Sequence, residues 1–155
     1  MAIAILTTWP VLGQTTERVS VTSSEAQAIG GRYTPRPAVS NDGSTVVFES
    51  ALGSLVPGDT NFASDIFVSA GGTLTRVTGP GGVQPTCASQ RAAVSSNGRF
   101  VAFDSCASNL VAGDNNSASD VFLLDRDSST ITRVSVTSTE FEASGSSYAA
   151  AISPN

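Results

Sequence analysis

The side chains best suited to chemistry, by type and by spacing, lie in two acidic loops. The set consists of Asp59, Asn61 and Asp65 in one loop and Asp114, Asn116 and Asp120 in the other. Oxygen ligands at this spacing suit Ca²⁺, although both loops lack the further acid and the glycine of hand-type calcium loops. Alternatively, Asp and Asn side chains accept backbone N–H bonds and shape long loops. Because a position that recurs in every repeat is usually architectural, we interpret the six residues first as structural and second as calcium ligands.

Catalysis is poorly supported by the residue types that the chain contains. All eight basic residues are arginines and there is no histidine, so a lysine or histidine base is excluded. Two carboxylates such as Asp65 and Asp120 are what glycoside hydrolysis needs, but these two occupy equivalent places in separate repeats. Cys87 and Cys106 have no histidine that could activate a thiol nucleophile. We therefore expect no enzyme activity, no catalytic residue and no cofactor, with Ca²⁺ in the acidic loops as the open alternative.

Internal repeats are the elements that must position these side chains. PAVSNDGSTVVFES from Pro37 aligns with AAVSSNGRFVAFDS from Ala92 at an offset of 55 residues. LVPGDTNFASDIF from Leu55 aligns with LVAGDNNSASDVF from Leu110 at the same offset. TLTRVT and TITRVS follow at an offset of 57, because the second turn is two residues longer. The chain is therefore a tandem array.

Each full unit is predicted to contain four short strands. They span about 36–40, 44–50, 65–69 and 74–78 in the first unit, and about 92–95, 99–105, 120–124 and 130–136 in the second. The Asn-Asp-Gly and Ser-Asn-Gly turns at 41–43 and 96–98 tolerate positive φ and favour tight hairpins. The second strands are apolar on both faces, which is typical of a sheet covered on either side. A four-stranded unit of about 57 residues matches a β-propeller blade.

The motifs resemble a known repeat family. AVSNDGSTVVFES, SDIFV and LTRVT, with their second copies, are similar to the PD40 (WD40-like) repeats of TolB-type β-propellers. Asn41-Asp42 and Ser96-Asn97 stand where that family has Pro-Asp, a change that leaves the turn intact. The resemblance covers about 15–155. It implies an all-β fold of four-stranded propeller blades and protein partners in the cell envelope, and it carries over no contact residue.

The predicted organisation is a signal-peptide-like segment at 1–14 followed by a partial β-propeller at 15–155. The propeller part consists of a blade end at 15–23, full blades at 36–79 and 92–137, and a blade start at 148–155. MAIAILTTWPVLG is uncharged and mostly apolar, like the h-region of a secretory signal, although the basic n-region is missing. The alternative is an edge strand. The segment is too short to span a bilayer, so no membrane span is predicted.

The two cysteines are predicted to form a disulfide. Cys87 lies in the connection between the two units, and Cys106 directly follows the second strand of the second unit. In an up-and-down blade, these two positions lie at the same end of the sheet. A bridge is therefore topologically feasible, and export would supply the oxidising compartment that it needs. The alternative is two free thiols.

The charged residues also limit the partners. The net charge of −5 without a basic cluster argues against nucleic acid. Arg76 and Arg133, on the fourth strands, are predicted to point to solvent or to a neighbouring blade's edge, where an exposed or salt-bridged charge is common.

The leading hypothesis is a noncatalytic, secreted or periplasmic propeller segment that binds or scaffolds a protein partner. Two alternatives stay open: the propeller part of a larger prolyl-oligopeptidase-like hydrolase, and a calcium-binding structural array. A propeller closes with about four to eight blades, whereas this chain supplies two full units. Two interpretations stay open: a homo-oligomer in which the strand near Arg18 of one copy completes the unit begun at Ala149 of another, or a longer native protein.

Overall fold

The chain folds into two four-stranded antiparallel sheets, one for each full repeat. The structure is a computed structural model and describes residues 18–21, 36–139 and 141–153. The first sheet consists of β1 (Ala38–Val39), β2 (Thr45–Ser50), β3 (Asp65–Ala70) and β4 (Thr73–Arg76). The second consists of β5 (Ser89–Val94), β6 (Phe100–Ser105), β7 (Asp120–Asp125) and β8 (Thr130–Arg133). In each sheet, neighbours in sequence are neighbours in space, so the predicted all-β fold of four-stranded blades is confirmed.

The first hairpin of each sheet is closed by the same side-chain arrangement. Asp42 Oδ1 accepts hydrogen bonds from Ser40 Oγ (2.6 Å) and from the Ser44 N–H (3.0 Å). Hydrogen bonds from Ser40 and Ser44 hold the pKa of Asp42 at about 2. Asn97 Oδ1 accepts the equivalent two bonds in the second sheet. The replacement of Pro-Asp by other residues thus preserves the turn, as predicted.

Gly98 is required by two features of its turn. Its φ is +71°, in the left-handed region that L side chains rarely adopt. A Cβ at this position would also collide with the side chain of Thr45 in the first sheet. Arg126 reinforces the same contact, since its Nη1 donates to Thr45 Oγ1 at 3.2 Å. The turn therefore also joins the two sheets.

The main core lies between the two sheets because their strands are apolar on both faces. Its fully buried members include Val47, Ile66, Val101, Phe103 and Phe122. A second cluster, formed by Phe48, Leu55 and Phe67, lies on the other side of the first sheet, where Val19 packs against it. On the doubly apolar second strands, Phe48, Val101 and Phe103 are buried, and Val46 is half-buried.

The face of the second sheet that points away from the first sheet is less buried than the corresponding face of the first sheet. Val68 and Val77 are buried against the second sheet, and Val77 is only 5% exposed. Their repeat counterparts are Leu123, which is half-buried, and Val134, which is 47% exposed. We call this surface, marked by Leu123 and Val134, the trailing side. It is the apolar side of a blade without a full neighbour among the described residues.

The strand boundaries differ from the predicted ones where the backbone is irregular. The first strand of the second unit begins at Ser89 rather than Ala92, because a bulge shifts its register between Gln90 and Ala93. Arg91 lies in this bulge with φ +53°. The fourth strands end at Arg76 and Arg133, earlier than predicted.

Several predictions for the chain ends lie outside the described residues. The signal-peptide-like segment 1–14 is one of them, and only 18–21 of the predicted blade end is described. Of the predicted blade start, 148–153 is described and forms no strand. In the described part of the chain, no helix is long and apolar enough to cross a membrane.

Candidate functional site

The residues of the first acidic loop meet in one buried cluster at the end of the first sheet. Asn61 Nδ2 donates to both oxygens of Asp65, at 3.2 and 3.1 Å. Arg76 Nη1 lies 3.2 Å from Asp59 Oδ1 and 3.9 Å from Asp65 Oδ2. Gln84 Nε2 donates to Asp59 Oδ1 at 2.8 Å. The cluster therefore joins the loop, the edge strand β4 and the connection to the second sheet.

The asparagines of the two loops work as donors to the carboxylates. Asn61 Oδ1 accepts the Ala63 N–H at 3.0 Å, and its Nδ2 also donates to the Pro85 carbonyl at 3.1 Å. Asn116 repeats this geometry with the Ala118 N–H, Asp120 and the Ala143 carbonyl. Each amide presents its nitrogen to the carboxylate, because its oxygen is used by the backbone. The geometry is that of a loop-shaping Asx turn.

The second cluster contains one more carboxylate than the first. Arg133 Nη1 lies 2.7 Å from Glu142 Oε1, 3.4 Å from Asp114 Oδ1 and 3.7 Å from Asp120 Oδ2. The three carboxylates offer oxygens within 4.8 Å of one another, and this guanidinium lies among them. Glu142 takes the place of Gln84, and its Oε1 also accepts the N–H groups of Asn115 and Asn116.

Burial raises the pKa of one aspartate in each cluster. Desolvation, followed by the neighbouring charge of Asp59, raises the pKa of Asp65 to about 6. Desolvation and then Asp120 raise the pKa of Asp114. In the first cluster, Asp59 Oδ2 and Arg76 Nε are buried without a hydrogen-bond partner. Each arginine thus supplies the positive charge that offsets the free-energy cost of burying the carboxylates of its cluster.

A second set of carboxylates joins each unit to the next through the backbone. Glu49 Oε2 accepts the Arg91 N–H of the second unit at 2.8 Å. Asp104 Oδ1 accepts the Ala149 N–H of the following segment at 3.3 Å. Arg91 and Ala149 both have positive φ, at +53° and +60°. The Ser147 N–H bonds to the Ser119 carbonyl just as the Ser89 N–H bonds to that of Ser64.

The disulfide is present as predicted. Cys87 and Cys106 are bonded, and their Cα atoms are 5.3 Å apart. The bridge closes the open end of the β5–β6 hairpin, where the Cys106 N–H also donates to the Ala88 carbonyl at 3.2 Å. It fixes the connection from the first sheet onto the second.

A cleft of about 640 Å³ opens between the outer strands of the two sheets. Its walls are mainly aliphatic and hydroxyl side chains, among them Val68, Val77, Leu124 and Ile131, with the glycine-rich segment 79–82 at the rim. The carboxylates of the two clusters are not part of its lining. The cleft therefore brings no acid–base pair together.

Sequence reasoning missed the arginines at the centre of the two clusters. Arg76 and Arg133 were expected to be solvated or salt-bridged outer charges, but both side chains are largely buried. The usable signal was that an arginine recurs at the same position of β4 and β8. Gln84 and Glu142 were also missed, since the connecting segments align only at an offset of 58.

The fold and its clusters define a class: an all-β repeat protein of propeller blades, each with a buried arginine–carboxylate cluster. Among solved structures, the chain is similar to TolB from Acinetobacter baumannii, with 20% identity, a TM-score of 0.42, and coverage of 68% of this chain and 22% of that one. It is also similar to a protein assigned as TolB from Agrobacterium tumefaciens, with 15% identity, a TM-score of 0.45, and coverage of 72% and 34%. The chain thus spans about a fifth of the first protein and about a third of the second. No protein-family profile and no curated protein sequence matches it.

Proposed function

We propose that this chain is a noncatalytic segment of an exported β-propeller and serves as a rigid platform for a protein partner. One observation carries the proposal. The acidic residues with the best chemical spacing bond to donors of the same chain, and they hold neighbouring units together.

The burial of these carboxylates supports a noncatalytic role. The side chains of Asp65 and Asp120 are fully buried, and each belongs to a separate cluster with its own arginine. A general acid or base must come within hydrogen-bond reach of its substrate. Neither aspartate is accessible in this way, so we assign both to the architecture.

We further propose that the clusters need no calcium. In the second cluster, the guanidinium of Arg133 lies among the three carboxylates, where a bound cation would lie. In both loops, Asn61 and Asn116 turn a donor nitrogen toward the carboxylate. Ca²⁺ prefers oxygen ligands, so this arrangement favours the internal ion pairs.

Export is supported by the disulfide between Cys87 and Cys106, since such bonds persist in oxidising compartments. We propose a secreted or periplasmic location on this ground. Association between copies is part of the same proposal, because the trailing side leaves Val134 exposed.

The test combines binding with turnover. The chain is expressed in the periplasm with a photo-crosslinking residue at exposed loop positions, and the purified chain is assayed against ester, glycoside and peptide substrates. We expect a reproducible crosslink to one envelope protein and no turnover. Turnover that disappears in Asp65→Asn or Asp120→Asn would contradict the noncatalytic role, and the absence of any crosslinked protein would contradict the binding role.

A further inference from the structure

The two ends of the blades differ in exposed charge. Antiparallel order places the hairpin turns at one end, and the segments 51–64, 77–88 and 106–119 at the other, which we call the connection end. The turn end carries the exposed charges of Asp42, Arg99 and Asp127.

The connection end, by contrast, exposes no charge in those three segments. Their only charged residues are Asp59 and Asp114, whose side chains are 2% and 4% exposed. The described connection after β8 reaches the same end and adds Glu142, whose side chain is 21% exposed and is paired with Arg133. The chain as a whole has a net charge of −5. A surface with so little exposed charge on an acidic chain is the composition expected of the centre of a protein interface, where charged residues are depleted and aromatic residues enriched.

Phe62 projects from this end and has no structural role there. Its side chain is 97% exposed, and its φ of +55° is disfavoured for a bulky residue. Ser117, the repeat counterpart, has the same φ of +55°. The backbone conformation therefore does not require an aromatic side chain, and the exposed ring is not stabilised by packing against the rest of the chain.

The backbone beneath Phe62 is held firmly. Asn61 bonds to the Ala63 N–H on the far side of Phe62 and to Asp65 and the Pro85 carbonyl. An aromatic side chain on a fixed base loses little conformational freedom on binding, which is the condition for an efficient anchor. Val83 is 54% exposed and lies on the connection 77–88. Hydrogen bonds of Asn61 and Gln84 join this connection to the loop that contains Phe62.

From these observations we propose that the connection end is the docking surface of the platform, and that Phe62 is its anchor. The occupant is a segment of a partner protein with large apolar side chains and no net charge. A charged segment would lose its hydration against a surface that offers almost no exposed counter-charge. This inference rests on the protein-binding function proposed above.

The experiment uses the full chain and a displayed library of random peptides as the probe. We expect the selected peptides to be rich in apolar residues and poor in charged ones. Phe62→Ser should weaken their binding at least tenfold, because it installs the residue that the second repeat already has at this position. The matched control Asp127→Ala, at the turn end, should bind them like the original chain, and both variants should keep the original melting temperature.

Each other outcome overturns the inference. Charged peptides, or apolar peptides that bind Phe62→Ser equally well, would leave a binding platform with a different docking surface. Concentration-dependent dimerisation that Phe62→Ser abolishes would make a second copy the occupant instead. No selected peptide at all would overturn the proposed function together with the surface.

Discussion

Replacing Arg133 by methionine is the most direct test of how the buried clusters work. The substitution keeps an unbranched aliphatic chain but removes the guanidinium from among Asp114, Asp120 and Glu142. Three carboxylates then remain with oxygens within 4.8 Å of one another and no cation. Removing one partner of a buried ion pair costs about 3–5 kcal/mol, because the remaining charge is uncompensated. For a chain of this size, that loss lowers the melting temperature by roughly 6–20 °C.

The same substitution should create a response to calcium that the original chain lacks. Three carboxylates without an internal cation offer the oxygen ligands that Ca²⁺ prefers. Millimolar calcium should therefore restore part of the lost stability in Arg133→Met. Arg76→Met is the matched control: it leaves only Asp59 and Asp65, so we expect a comparable loss and a weaker calcium response.

Differential scanning calorimetry with calcium or with EDTA measures both effects. The original chain should melt at nearly the same temperature in either buffer. Two results would refute the reasoning. If Arg133→Met melts like the original chain, the arginine does not hold the cluster. If EDTA lowers the melting temperature of the original chain strongly, Asp59, Asn61 and Asp65 and their copies are metal ligands after all.

Three further predictions concern the disulfide, the pH dependence and the trailing side. Replacing Cys87 and Cys106 together by alanine should lower the free energy of unfolding by about 3 kcal/mol, the entropy of closing a loop of this length, and an unchanged denaturation midpoint would contradict a stabilising bridge. The folded-state pKa of Asp65, about 6, is above its ordinary value of 3.8, so its contribution is fully present below pH 4 and is lost as pH rises through 6. Chemical denaturation should show this loss as roughly 2–3 kcal/mol, and Asp65→Asn should remove it; a loss of the same size in the variant would refute the assignment. Light scattering should show association of the full chain, reduced by Val134→Thr, whereas a monodisperse, cooperatively melting monomer would argue for a self-sufficient β fold.

The two sheets could be predicted because their signals are local and occur twice. The Asn-Asp-Gly turn and the doubly apolar strand around Phe48 recur at a fixed offset, so each copy supports the assignment of the other. The disulfide could be predicted because the order of the strands brings both cysteines to one end of the sheet and the expected export supplies an oxidising compartment. These features depend on residues close in sequence, or on the simplest up-and-down topology.

The arginines at the cluster centres could not be predicted because their burial depends on the way in which the long loops fold back over the ends of the sheets. Arg76 lies between Thr75 and Val77 on an edge strand, where a charged side chain is usually solvated. It is buried because the segment 51–64 brings Asp59 over it, and because the connection brings Gln84 onto Asp59 from the other side. Strand periodicity contains no information on either contact. The bulge at Arg91 escaped prediction for the same reason, since its positive φ is stabilised by Glu49 of the preceding unit.

The contacts between units have a consequence for how such an array changes during evolution. Glu49 and Asp104 bind the main chain of the next unit, and Asn61 and Asn116 bind main-chain carbonyls of the connections. Every residue other than proline offers both of these main-chain groups, so the receiving unit needs no matching side chain. Arginine and alanine indeed occupy the two receiving positions, 91 and 149, with the same backbone conformation. A duplicated unit would therefore fit beside any other at once, and its side chains would be free to diverge toward new partners.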